Sequence, residues 1–258
     1  MIKKTTILMI LFAALATASA LRAGDGTVSI SPAVITLGGQ VGQSTTQTLT
    51  FTNRTSRPLS FEMNAYDAVV RDGTRGFVEA GSIPGSIAAT AAFSPKLFTA
   101  APGQSIPVSL TITIPPHASV RAIAVMCDGT TKLGTGPVRV SASVGTLLTF
   151  AIAGDVIAAK VSPLTVQPPT ATATLVAAQQ LVNNGTEPVV ASGMLAIINA
   201  AGSLAGKQEI PMSRLLPGEK KDVRVEYDGD LPPGRYRAMI TYDLTDKTLT
   251  SSAEFSVK

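Results

Sequence analysis

Apolar and polar residues alternate along most of this chain. In residues 46–52, TQTLTFT, Leu49 and Phe51 share one face and threonines fill the other. The same two-residue period runs through residues 59–70, with shorter runs at 28–32 and 34–37. Polar clusters such as NRTSRP, residues 53–58, read as turns between them. Beyond the first residues no segment sustains a helical period, although residues 88–92 have room for a short helical turn. The pattern predicts consecutive strands, each with one face in a core.

Several landmarks occur twice in the same order. TNRTSRPLSF from Thr52 resembles VNNGTEPVVAS from Val182, and PGQSIPVSLTITIPPHASVRAIAV from Pro102 resembles PGEKKDVRVEYDGDLPPGRYRAMIT from Pro217. Each copy has a Pro-Gly turn, an alternating strand, a strand-ending double proline and a returning strand. The first copy is about fifteen residues longer, within RDGTRGFVEAGSIPGSIAATAAFSPKLF, which reads as an added hairpin or loop. In the second copy Tyr236 opens the returning strand, where its ring can pack inward while its hydroxyl bonds the corner backbone. An ordinary half-buried strand tyrosine fits the same pattern. Val120 takes that position in the first copy. The repeat predicts an all-β chain of two tandem immunoglobulin-like β-sandwiches, residues 21–156 with the insertion and residues 157–258.

One run is unusually long. Val138, Val140, Ala142, Val144, Leu148, Phe150 and Ile152 share one parity, interrupted by Thr146. A bend at Gly145 would divide it. It reads either as a late core strand that changes partner or as an edge that pairs with another protein's strand.

Residues 1–20 read as a cleaved signal peptide: Lys3 and Lys4, then a short apolar run, then Ala18-Ser19-Ala20, with cleavage before Leu21 or, less well, Ala23. No later apolar run is long enough to span a membrane, and the mature chain is expected to be exported, to the periplasm or the cell surface. Without the leader, 19 basic residues face 17 acidic ones, dispersed along the chain, which argues against nucleic acid. Cys127, the lone cysteine, forms no internal disulfide and reads as a small buried side chain.

Chemistry-bearing residues are scattered. His117, the one histidine, sits beside the double proline at a corner, and no G-x-S-x-G elbow is present. Asp67, Asp72 and Glu79 flank a glycine-rich loop without EF-hand spacing. Asn53-Arg54-Thr55 and Asn184-Gly185-Thr186 match a glycosylation pattern that turn chemistry also explains. No enzyme activity, cofactor or metal site is expected.

VSISPAVITL, TQTLTFTNRTSRPLSFEM, SPKLFTAAPGQSIPVSLTI and RAIAVM together resemble the N-terminal domain of periplasmic pilus chaperones. The early SP strand, the TNRTSRP turn, the PG strand and GPVRVSASVGTLLTFAIAGD also resemble fibronectin-III-like domains of WxL-associated surface proteins. LVNNGTEPV, LLPGEKKDVRV and LPPGRYRAMITY resemble the accompanying immunoglobulin-like domain. The chaperone resemblance implies a basic pair, one residue on the first strand and one on the late strand, that holds a subunit's terminal carboxylate between the domains. Residues 28–37 contain no Arg or Lys, and Arg139 is the one basic candidate on the late strand. The first expectation is therefore a non-enzymatic exported binding or structural protein. It would touch a protein of the cell envelope through a strand edge or the insertion at residues 71–98. The alternative is a chaperone for exported β-rich, pilus-type subunits.

Overall fold

Alternation sends Leu49 and Phe51 inward, and both are fully buried. The computed structural model describes residues 26–130, 141–245 and 247–258. The first ten strands are β1 (Val28–Ser31), β2 (Val34–Gly39), β3 (Ser44–Asn53), β4 (Leu59–Arg71), β5 (Thr74–Glu79), β6 (Ala92–Ser94), β7 (Leu97–Ala100), β8 (Ser105–Thr113), β9 (Ala122–Gly129) and β10 (Ser143–Ile152). Their sheets are β1-β3-β8-β6 and β2-β10-β9-β4-β5, the second also carrying β7 on β4. Phe51, Phe61, Leu110, Ile123, Leu148 and Phe150 pack between them, and rings such as Phe51 and Phe61 lie 4.3 Å apart.

The remaining strands are β11 (Ala159–Val161), β12 (Thr165–Gln167), β13 (Leu175–Asn183), β14 (Val189–Asn199), β15 (Leu204–Leu215), β16 (Lys220–Tyr227), β17 (Gly234–Asp243) and β18 (Thr248–Val257). β11, β12 and β16 all pair with β13, and the facing sheet runs β15-β14-β17-β18. A second core of Leu175, Leu195, Ile197, Ala238, Ile240 and Tyr242 lies between these sheets. The chain is thus two tandem β-sandwiches.

The opening strands behave differently in the two halves. β1 pairs antiparallel with β3, the chain then crosses at Pro32 and Ala33, and β2 pairs parallel with β10. In the second half β11 and β12 both stay on β13.

The repeated landmarks meet at a buried asparagine. Asn53 Nδ2 donates to the carbonyls of Arg57 and Ala100 at 2.8 and 2.9 Å. Asn183 Nδ2 donates to Glu187 and Leu215 at 2.8 and 3.0 Å. Their own carbonyls accept from Gly103 and Gly218. Both glycines hold positive φ, 76° and 79°, the conformation a Pro-Gly turn demands at its second position. Both asparagines are fully buried, so Asn53 cannot present the glycosylation pattern in the folded chain, whereas Asn184 is exposed.

The insertion interrupts an edge strand. β15 pairs with β14 from Val189 to Ile198, but the corresponding partner of β4 is split into β5 and β7. Between those pieces lie a short 3-10 turn, Ala88–Thr90, and β6. Far from a free loop, this segment contributes Ile87 and Ala88 to the first core. The Asp67 carboxylate holds it by accepting from the Ile87 and Ala88 amides, each at 3.0 Å. The expectation of an added loop is corrected accordingly: deleting residues 81–92 would empty part of the core.

Candidate functional site

β10 has two different halves. Its register with β9 is continuous from Ser143↔Asp128 to Thr149↔Ala122, so the expected bend at Gly145 does not form. Its register with β2 begins at Leu147↔Val34 and ends at Ile152↔Gly39. Downstream, β10 is therefore a central strand, and Leu148, Phe150 and Ile152 are buried in the first core. Those three residues cannot serve as a partner-binding edge while the sandwich stays folded. Val144 packs partly against the same core, Ala142 is half-buried, and Val138 and Val140 lie outside the described residues, as do Arg139 and the leader.

Upstream of Leu147 one side of β10 is open. The Ala142 carbonyl accepts from Gly129 and the Phe150 amide donates to Arg121, whereas the Leu147 amide points the other way, to Ala33. Backbone groups alternate along a strand. Even-numbered residues therefore face β9, and Ser143 and Gly145 direct their N–H and C=O outward. No strand among the described residues pairs with them there. Thr146, the polar interruption, is buried and closes this stretch by donating its hydroxyl to the Pro32 carbonyl at 2.9 Å.

The face of this sheet turned away from the core begins at the second sandwich. Ala68 and Ala122 pack there against Leu216, just before the second Pro-Gly turn. Pairing then steps outward in rows. Phe77, Ala68, Ala122, Thr149 and Thr36 form one, and Glu79, Tyr66, Ala124, Leu147 and Val34 the next. Asn64, Met126 and Gly145 follow, then Glu62, Asp128 and Ser143. Phe77 is 54% exposed and Val34 45%, which is high for large apolar side chains.

The junction itself is polar. Arg75 Nη2 donates to Glu219 Oε2 at 2.7 Å and to the Arg214 carbonyl at 2.9 Å. The Lys220 amide donates to the Gly73 carbonyl at 2.8 Å, so the tip of the β4–β5 hairpin is bonded to the second sandwich. Arg214 Nη1 donates to Thr36 and Thr149, at 3.1 and 3.4 Å, and those hydroxyls lie 3.2 Å apart on paired strands. No carboxylate pairs with Arg214 among the described residues. Burial lowers the affinity of its guanidinium for its proton, and the neighbouring Arg75 charge adds to that. The junction thus presents two threonine hydroxyls, on β2 and β10, to a cation from the second sandwich. Sequence reasoning missed Arg214, whose local signal was a lone charge shortly before the Pro-Gly turn.

The remaining candidates are dispersed. Tyr236 donates its hydroxyl to the Pro232 carbonyl at 2.7 Å and stacks on Phe255. Cys127 is fully buried, flanked across the sheet by Met63 and Val144, and burial pushes its thiol up to about 12. His117 is exposed in the loop after the double proline. Asp67 points into the core, Asp72 sits at the hairpin turn and Glu79 ends β5, so the three acids do not converge. Among the described residues no group of three His, Cys, Asp or Glu could hold a metal ion, and no helix is long and apolar enough to cross a membrane.

No known family model matches the chain, and no curated protein does. Solved structures do. The class 5 fimbriae chaperone CfaA aligns with a TM-score of 0.51 at 12% identity, over 88% of this chain and 98% of that one. A structure of a chaperone–tip adhesin complex from CFA/I fimbriae biogenesis aligns with a TM-score of 0.50 at 11% identity, again over 88% and 98%. The shared feature is the fold, two immunoglobulin-like sandwiches in tandem.

Proposed function

We propose that this chain is an exported, periplasmic chaperone that holds β-rich, pilus-type subunits by lending them a strand edge, without enzymatic chemistry. The observation that carries this is the upstream half of β10, where Ser143 and Gly145 offer main-chain donors and acceptors that no strand among the described residues pairs. An added strand would satisfy those groups, and its alternate side chains would choose the partner. The similarity of fold to fimbrial chaperones supports the same reading. The insertion contributes Ile87 and Ala88 to the first core, which favours the β10 edge over that segment as the holding element. β18 is also an edge, but Glu254 and Arg237 pair across its exposed side, and Ser252 and Ser256 are exposed there, so it lacks the apolar flank of β10.

A photo-crosslinking side chain placed at Ser143, and separately at Ser256, tests the reading in the native host. The expected result is an adduct between position 143 and an exported β-rich subunit, with none at position 256. No adduct at 143, or the same adducts at both positions, would overturn it.

A further inference from the structure

We propose that the outward face of the β2-β10-β9-β4-β5 sheet is a charge-graded docking track whose far end selects basic side chains on the bound segment. This rests on the reading of β10 as a binding edge and adds a chemical requirement on what binds there.

The track starts at the junction, where Arg75 holds Glu219 and Arg214 bonds the Thr36 and Thr149 hydroxyls with no carboxylate partner among the described residues. Its middle is apolar or aromatic: Tyr66, Ala124, Leu147, Val34 and Met126. Its far end carries Glu62 and Asp128, directly paired across β4 and β9, with Glu79 beside Tyr66. Among the described residues the charge at that end is poorly compensated. Asp128 Oδ2 accepts from the neutral amide of Asn64 at 3.0 Å. Glu62 has Lys96 at 3.4 Å, but the lysine is largely exposed and the glutamate partly so, and such a pair contributes little. Among the described residues no cation pairs with Glu79 or Asp128. The three carboxylates act on one spot: the Tyr66 phenol is held above its usual range by burial first, then by Asp128, Glu79 and Glu62.

From the Thr149 row to the Ser143 row is six residues, about 20 Å along the strand. That exceeds the screening length of about 8–10 Å in physiological salt, so the two ends act separately. A segment laid along the β10 edge lies two strand spacings, about 9.6 Å, from Asp128 on β9, a gap that a long side chain spans. A lysine or arginine on it can reach that carboxylate, while a glutamate there meets repulsion. Like-charge contact is an efficient way to reject wrong partners.

Two synthetic alternating valine–threonine peptides with free carboxyl termini serve as probes, one bearing two lysines near its amino terminus and the other two glutamates. Anisotropy titration at low salt should show the lysine peptide binding about tenfold more tightly, a gap that narrows at high salt. In the variant Glu62→Gln, Glu79→Gln, Asp128→Asn the gap should close. Equal affinities for the native chain, or a gap that survives in that variant, would overturn the charge requirement and leave the edge reading standing. Binding of neither peptide would overturn both.

Discussion

The two sandwiches solve the same corner identically and then put it to different uses. In each, a buried asparagine bonds two distant carbonyls while its own carbonyl receives the glycine of a Pro-Gly turn. In each, the residue after that glycine closes the turn, Gln104 onto the Ala101 amide and Glu219 onto the Leu216 amide, both at 2.8 Å. The first turn is exposed. The second is pressed into the junction, where Glu219 also holds Arg75 and where Lys220 bonds Gly73. One change from a neutral to a charged side chain, at a position the fold already provides, turns a corner into a docking element.

The largest expected effect tests the shared part. Asn53→Ala takes a donor from the buried Ala100 carbonyl and Asn183→Ala one from the buried Leu215 carbonyl, and each should cost about 1–3 kcal/mol in urea unfolding followed by circular dichroism. If only one of them is costly, the corners are not equivalent. Next comes the part that differs. Glu219→Gln keeps an acceptor for the Leu216 amide but removes the charge facing Arg75, and should cost about 1–2 kcal/mol, with looser spacing between spin labels on the two halves. Gln104→Glu on the exposed turn should cost almost nothing. Equal effects would show that the charge is not what docks the second turn.

A smaller effect concerns the returning strands. Tyr236→Phe removes one hydroxyl bond to Pro232 and should cost about 1 kcal/mol by thermal melting. Val120, buried at the matching place, has no such bond to lose. The smallest effect at neutral pH belongs to Cys127. Its thiol ionises near 12 when folded and near 8.5 when free, so the folded state keeps its proton longer. Its stabilising contribution is complete below about pH 8.5 and falls as pH rises toward 12. Since the second sandwich has no cysteine, alkylation at alkaline pH should report the opening of the first sandwich alone. Rapid labelling of the native chain would contradict the burial.

Architecture was legible in the sequence because a two-residue period and its turn residues are local signals. TQTLTFT and the paired Pro-Gly landmarks led directly to β3, β8, β13 and β16. The parity from Val138 to Ile152 was legible too, but its meaning was not. A core strand and a lending edge demand the same alternation, and only pairing shows that Phe150 is enclosed while Gly145 is open. The insertion misled for a related reason. Its small residues resemble a solvated loop, yet Ile87 reaches the core because Asp67, twenty positions earlier, bonds the turn from beneath. Arg214 meets Thr36 across 178 positions of chain, a distance over which neither spacing nor composition carries a signal.

The bond from the Lys220 amide to the Gly73 oxygen is made by main chain at both ends. Exchange of the Lys220 side chain for anything but proline leaves the donor in place, whereas Gly73 is held at φ 87° and a Cβ there would run into the Lys220 side chain. A joint of that kind accepts almost any letter at one of its ends and insists on glycine at the other, so the angle between the halves hangs on the smallest residue in the chain.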